Sequence, residues 1–170
     1  MNIKEEFKKR IESDEDIGNF LPLLHDKVLD YSEPEILEFG TWKGSSTLAF
    51  LNAIKEVGGH LTSVDNRHYK IRETLKNNKN VTFIIQDSRT FESSKKYDII
   101  LVDTIHSYEQ VKAECEVIKT LIKPGTLIFF HDTIFKFVIT AAIDEFIERT
   151  DCIVTKHTEG KGMWEVEILK

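Results

Sequence analysis

Short apolar segments alternate with amphipathic helical patterns along most of this chain, and no other feature of the sequence constrains the fold as strongly. The five apolar segments are Glu35–Gly40, His60–Asp65, Val81–Asp87, Tyr97–Asp103 and Gly125–Asp132. They are rich in β-branched and aromatic residues, as is typical of strands buried on both faces of a parallel sheet. The stretches between them predict helices, most clearly over Ser45–Val57 and Ser107–Lys123. The alternation therefore predicts a doubly wound, Rossmann-like α/β sheet with right-handed crossovers.

The two ends of the chain depart from the alternation. Cys152–Thr158 and Met163–Lys170 are strand-like segments joined by Glu159–Gly162, a loop too short for a parallel crossover. We therefore expect five parallel strands followed by an antiparallel β-hairpin. Residues 1–34 have a helical pattern and are expected to cover the sheet. The prediction is one domain over residues 1–170, with a helical cap (1–34) and a core (35–170).

Length and charge exclude several classes of protein. The 170 residues suit one domain, and the formal net charge of −6 argues against a nucleic-acid partner, which would require a basic face. No apolar run approaches the roughly 20 residues that cross a bilayer, so no membrane partner is expected. The N-terminus is charged and is not a secretory signal, which predicts a cytoplasmic protein.

Every predicted parallel strand ends in or beside an acidic residue. These residues are Glu38, Asp65, Asp87, Asp103 and Asp132. Ligands of open α/β sheets bind beyond the carboxyl ends of the strands, where the strand order reverses. The sequence therefore predicts a ring of carboxylates around a ligand at this edge of the sheet.

The loop after the first strand carries Gly40 and Gly44, a spacing that is neither a G-x-G-x-x-G fingerprint nor a Walker A loop. Glu38 would repel a phosphate and suits an amino group. Asp65 is positioned to accept both hydroxyls of a ribose, and Asp87 to meet an adenine amino group. A nucleoside pocket without a phosphate cradle points to S-adenosylmethionine. The candidate cofactor-binding residues are Glu38, Gly40, Thr41, Trp42, Gly44, Ser45, Ser46, Asp65, Asn66, Asp87, Ser88 and Asp103.

Longer motifs resemble one family. EFGTWKGSST at 38–47 is similar to the first motif of class I S-adenosylmethionine-dependent methyltransferases. YDIILVDTIHSY at 97–108, LIKPG at 121–125 and HDT at 131–133 resemble a subgroup of small-molecule and sugar O-methyltransferases and cephalosporin-hydroxylase-like proteins. The resemblance covers about residues 34–170 and implies a seven-stranded sheet. Thr104 and Ile105 depart from the subgroup, which usually has Gly followed by a small or acidic residue.

The resemblance implies methyl transfer to a hydroxyl of a small molecule or sugar, assisted by a divalent cation, Mg²⁺ or Mn²⁺. The metal ligands carried over are Asp103, His131 and Asp132, and Asp103 is also a catalytic candidate. His106 is the candidate general base for the hydroxyl proton, whose pKa the cation would lower. The alternative is that Asp103 and Asp132 only cap the helices that follow them.

Two other functions remain open from sequence alone. The departures at Thr104 and Ile105 are compatible with a non-catalytic module that binds S-adenosylmethionine. An NAD-dependent oxidoreductase is disfavoured by the missing third glycine and by Glu38. The sequence does not specify the substrate. Little chain is left for a lid, so either the site is open or a second subunit of a homo-oligomer covers it.

Overall fold

The computed structural model describes residues 1–170 and confirms the expected α/β architecture. The strands are β1 Glu35–Phe39, β2 His60–Asp65, β3 Val81–Ile85, β4 Ile99–Val102, β5 Leu127–His131, β6 Cys152–His157 and β7 Met163–Ile168. The α-helices are α1 Ile3–Ser13, α2 Leu21–Leu29, α3 Ser45–Val57, α4 Lys70–Leu75, α5 Tyr108–Lys119 and α6 Val138–Ile147. None of these helices combines the length and the apolar character needed to cross a bilayer.

The strands form one sheet in the order β3-β2-β1-β4-β5-β7-β6. The strands β1 to β5 run parallel, while β7 is antiparallel to both β5 and β6, so the predicted C-terminal hairpin is confirmed. The strand order reverses between β1 and β4. Their carboxyl ends therefore flank the crevice where ligands of such sheets bind.

Two apolar clusters cover the two faces of the sheet. Ile36 of β1 belongs to the cluster that contains α1, α2 and α3, so the N-terminal segment covers one face. Its neighbour Leu37 belongs to the opposite cluster, with α5 and α6. Successive side chains of a strand point to opposite faces, and here both faces are apolar because helices cover each of them.

The helix predicted over Ser107–Lys123 is shorter in the structure, where α5 covers Tyr108–Lys119. The segment after Asp132 begins with turns, and α6 starts only at Val138. Ser107 caps α5, since its Oγ accepts a hydrogen bond from the Gln110 backbone amide at 3.2 Å. The Gln110 side chain does not complete a capping box; it points inward and donates to Ser88 and Glu114.

Candidate functional site

A cleft of about 330 Å³ opens at the carboxyl ends of the parallel strands. Seven of the predicted cofactor-binding residues line it: Gly40, Trp42, Asp65, Asn66, Asp87, Ser88 and Asp103. His106, the candidate base, lies in the same wall. The other five, Glu38, Thr41, Gly44, Ser45 and Ser46, are not part of the lining.

The glycine loop brings β1 and β4 close together. Gly40 has a φ of 97°, and a Cβ atom there would lie 1.8 Å from the carbonyl oxygen of Asp103. Gly44, at the start of α3, has a φ of 80°, and its Cβ would lie 2.5 Å from Ile71. Both positions therefore need glycine, for the backbone angle and for the space.

Asp65 holds this loop in place from the end of β2. Its Oδ2 accepts hydrogen bonds from the backbone amides of Thr41 at 2.8 Å and Trp42 at 3.3 Å. Its Oδ1 accepts from the Arg67 amide at 2.9 Å. Because a carboxylate oxygen can accept more than one hydrogen bond, Asp65 can still accept hydrogen bonds from the hydroxyls of a ribose in the cleft. Thr41 takes part through its amide, while its hydroxyl pairs with Ser63 at 2.7 Å.

Glu38 is fully buried and faces α3 instead of the cleft. Ser46 donates to it at 2.6 Å and Thr47 at 2.7 Å, and Ser63 also donates to it. Strand alternation explains the direction, because Glu38 shares the side of β1 that Ile36 presents to the α1–α3 layer. The expected direct contact with a ligand amino group is therefore not supported, and Glu38 instead ties the start of α3 to the sheet.

Burial raises the pKa of Glu38 to about 7, although its three hydroxyl partners oppose the rise. The folded protein thus binds a proton here more tightly than the unfolded chain, whose Glu38 titrates near 4.5. The resulting stabilisation is fully present below about pH 4.5 and is lost as the pH rises through about 7.

Glu38→Gln is expected to remove this pH dependence. Between pH 4.5 and 7 the wild type should lose on the order of 3 kcal/mol of unfolding free energy relative to the variant, because glutamine does not titrate. Urea unfolding at a series of pH values measures the difference. Parallel pH profiles for the two proteins would show that Glu38 stays ionised in the folded state.

A buried carboxylate that the sequence analysis missed supports the far wall of the cleft. Glu114 accepts hydrogen bonds from Ser88 at 2.5 Å, from Thr104 at 2.8 Å and from Gln110 at 2.8 Å. Burial raises the pKa of Glu114 despite these partners. The available signal was its position three residues after Val111, on the apolar face of α5. Thr104, a departure from the related subgroup, is thus part of an ordered wall.

The four predicted catalytic and metal-binding side chains converge where β4 and β5 end. His106 Nε2 lies 2.8 Å from Asp132 Oδ2 and 3.4 Å from Asp103 Oδ1. His131 Nδ1 lies 3.3 Å from Asp103 Oδ1 and 3.8 Å from Asp132 Oδ2. We call these four residues the carboxylate–histidine cluster.

Opposite charges dominate the electrostatics of this cluster. Burial opposes ionisation of Asp103, but contact with His106 and His131 outweighs it and holds the Asp103 pKa well below its usual range. Burial also opposes protonation of His106, yet Asp103 and Asp132 raise its pKa to about 9. Asp103 likewise raises the pKa of the buried His131. The carboxylates therefore attract positive charge, whether a proton or a metal cation.

The cluster fits a divalent cation. His131 Nε2 and Asp132 Oδ1 are buried and have no hydrogen-bond partner. Such atoms are costly unless a ligand satisfies them. Imidazole nitrogen with carboxylate oxygen suits Mn²⁺, and Mg²⁺ where water completes the shell. Asp132 also holds a left-handed φ of 63°, a costly conformation for a residue other than glycine.

The helix-capping alternative for these carboxylates is wrong. Ser107 caps α5 through its hydroxyl, and α6 has no side-chain cap at all. Asp103 and Asp132 instead face the histidines, so their positions reflect the cluster and not the helices.

Comparison with known proteins agrees with this geometry. No curated protein matches the sequence significantly. Among solved structures, a putative caffeoyl-CoA O-methyltransferase from Staphylococcus aureus superposes with a TM-score of 0.75 at 15% identity, covering 99% of this chain and 92% of that one. The O-methyltransferase TomG from Streptomyces achromogenes, in complex with SAM, gives 0.68 at 14% identity over 90% and 81%. The SAH-bound methyltransferase PaMTH1 from Podospora anserina gives 0.68 at 14% over 100% and 89%.

These structural likenesses establish the fold. The family described as "Methyltransferase domain" matches residues 37–133, which run from β1 past the end of β5 and include the glycine loop and the carboxylate–histidine cluster. The match spans more than half of the 170 residues. The chain therefore belongs to this methyltransferase family, among the class I S-adenosylmethionine-dependent enzymes.

Proposed function

We propose that this enzyme methylates a hydroxyl oxygen of a small molecule or sugar with the assistance of a divalent cation. The observation that carries the proposal is the set of unpartnered imidazole and carboxylate atoms beside the cleft. Two of the three structural neighbours described above are named as O-methyltransferases, which supports oxygen as the acceptor atom.

Different residues of the cleft would contact different parts of the cofactor. Asp65 would hold the ribose hydroxyls, Asp87 and Ser88 the adenine end, and the backbone of Gly40 would allow close approach of the cofactor to β1. When bound, S-adenosylmethionine supplies the electrophilic methyl group. Carboxylates that held its sulfonium strongly would stabilise the ground state and slow methyl transfer. We therefore expect the carboxylates to bind the ribose and the adenine instead of the sulfonium.

The carboxylate–histidine cluster would prepare the acceptor. Asp103, His131 and Asp132 would hold the cation, whose positive charge would lower the pKa of the acceptor hydroxyl. His106 lines the cleft next to Asp103. A cation bound to Asp103 and Asp132 would offset the negative charge that raises the pKa of His106, and its neutral Nε2 would then accept the hydroxyl proton. The acceptor oxygen would then form its bond to the methyl carbon as the carbon–sulfur bond breaks, with its electron pair leaving on sulfur.

Calorimetry with S-adenosylhomocysteine tests the cofactor part. We expect a dissociation constant in the micromolar range (~10⁻⁶ M, about −8 kcal/mol), with NADH as the negative control. If the folded protein binds neither S-adenosylmethionine nor its product, the proposed reaction is wrong.

Chelation tests the metal part separately. Turnover across a panel of small hydroxyl compounds should fall at least about 10-fold in EDTA and return with Mn²⁺ or Mg²⁺. Equal turnover with and without the chelator would contradict the role of the cation but not the proposed methyl transfer. Cofactor binding with no turnover on any acceptor would instead favour the non-catalytic module.

A further inference from the structure

Asp16 of the N-terminal cap lies against the carboxylate–histidine cluster. Its carboxylate, a ring nitrogen of His131 and a carboxylate oxygen of Asp132 all lie within 4.8 Å of one another. A second triad, Asp103 with His106 and Asp132, meets the same criterion. The two triads share Asp132, and Asp16 also lines the cleft.

Unpartnered buried atoms are a second and independent sign of a ligand at this place. His131 has no exposed surface, and its Nε2 makes no hydrogen bond. Asp132 is only 3% exposed, and its Oδ1 is likewise without a partner. Buried polar atoms in native proteins are satisfied in the great majority of cases, so two in one place call for a ligand.

The turn between α1 and α2 presents Asp16 to the cluster. Asp14 Oδ1 accepts hydrogen bonds from the amides of Asp16 at 2.9 Å and Ile17 at 3.4 Å, which fixes the turn. The Asp16 carboxylate has one charged partner, the ammonium of Lys161 on the loop between β6 and β7. Lys161 is about one third exposed and can swing into solvent.

We propose that Asp16 is a further ligand of the divalent cation that His131 and Asp132 bind, and that Lys161 competes with this cation for the Asp16 carboxylate. The inference rests on the cation of the proposed function. It makes the N-terminal cap part of the metal site, so cation binding joins the segment between α1 and α2 to the end of β5.

The Asp16–Lys161 pair allows a test in which one ion pair is broken from either side. Mn²⁺ alone, without cofactor or acceptor, is titrated into the full-length protein, and free Mn²⁺ is followed by electron paramagnetic resonance. Asp16→Asn should weaken Mn²⁺ binding at least about 10-fold, because a ligand is lost. Lys161→Met should strengthen it by about 3-fold or more, because the competing ammonium is gone.

Glu15→Gln is the matched control, since it removes one negative charge from the adjacent, exposed residue. Its Mn²⁺ affinity should stay within about 2-fold of the wild type. The proposal is overturned if Asp16→Asn behaves like Glu15→Gln. It is also overturned if Asp16→Asn and Lys161→Met weaken binding equally, because Asp16 would then serve only the ion pair.

Two further results separate this inference from the proposed function. If Asp132→Asn abolishes Mn²⁺ binding while Asp16→Asn leaves it unchanged, the cation site is supported and the role of Asp16 as a ligand is wrong. If the wild type binds no Mn²⁺, both fail, while S-adenosylhomocysteine binding still tests methyl transfer. Should Asp16→Asn not fold, the opposite shift expected for Lys161→Met decides the question, and Asp16→Glu, which keeps a carboxylate, should retain Mn²⁺ binding.

Discussion

Gly40→Ala is expected to destabilise the protein by about 4 kcal/mol or more and to weaken cofactor binding strongly. The added Cβ would lie 1.8 Å from the carbonyl oxygen of Asp103, a backbone atom that no side-chain rotation can move away. Relief requires β1 and β4 to separate at their carboxyl ends, where the cleft begins. Urea unfolding measures the loss of stability. Calorimetry should show S-adenosylhomocysteine affinity reduced at least about 100-fold (~2.7 kcal/mol) in any protein that folds.

Gly125→Ala separates steric clash from backbone strain. Gly125 also has a positive φ, 84°, but a Cβ there would meet no atom within 4 Å. It precedes β5, at the amino end of the sheet, so the substitution should cost only about 1–2 kcal/mol and leave cofactor affinity unchanged. Equal destabilisation by the two variants would mean that the close approach of β1 to β4 is not required.

The bounds predicted from the sequence pattern are most accurate for elements that are buried on both sides. The bounds of His60–Asp65 and Ser45–Val57 coincide with β2 and α3. The reason is physical: strands covered on both faces need continuous apolar runs, and helices packed on them need a continuous apolar stripe. The acids at the strand ends could be predicted in the same way, because parallel topology brings those ends to one edge.

The direction of single side chains could not be read from the pattern. Glu38 sits at a strand end like Asp65, yet alternation turns it toward α3 and away from the cleft. Asp16 reaches His131 and Asp132 from a turn more than 100 residues away in the chain, and no local spacing signals such a contact. Glu114 could have been found from the sequence, since it is a carboxylate on an apolar helix face. A buried carboxylate needs hydrogen-bond donors, and the hydroxyl and amide groups that donate to Glu114 form the cleft wall.

Asp132→Asn is expected to lower kcat at least about 100-fold while S-adenosylhomocysteine affinity stays within about 2-fold. Asparagine has the same shape and tolerates the left-handed φ of 63°, so the backbone should be preserved. The change removes the charge that faces His106 at 2.8 Å and one carboxylate of the proposed metal site. The cofactor should bind normally because Asp132 does not line the cleft.

Asp87→Asn should give the opposite pattern and is the matched control. Asp87 lines the cleft at the proposed adenine end and is not part of the carboxylate–histidine cluster. Its loss should weaken S-adenosylhomocysteine binding about 10-fold and leave kcat at saturating cofactor within about 2-fold, because it would remove ground-state and transition-state binding alike. Steady-state kinetics and calorimetry on both variants measure the contrast. If Asp132→Asn keeps wild-type kcat, or if its whole defect lies in cofactor affinity, the chemistry does not take place at the ends of β4 and β5.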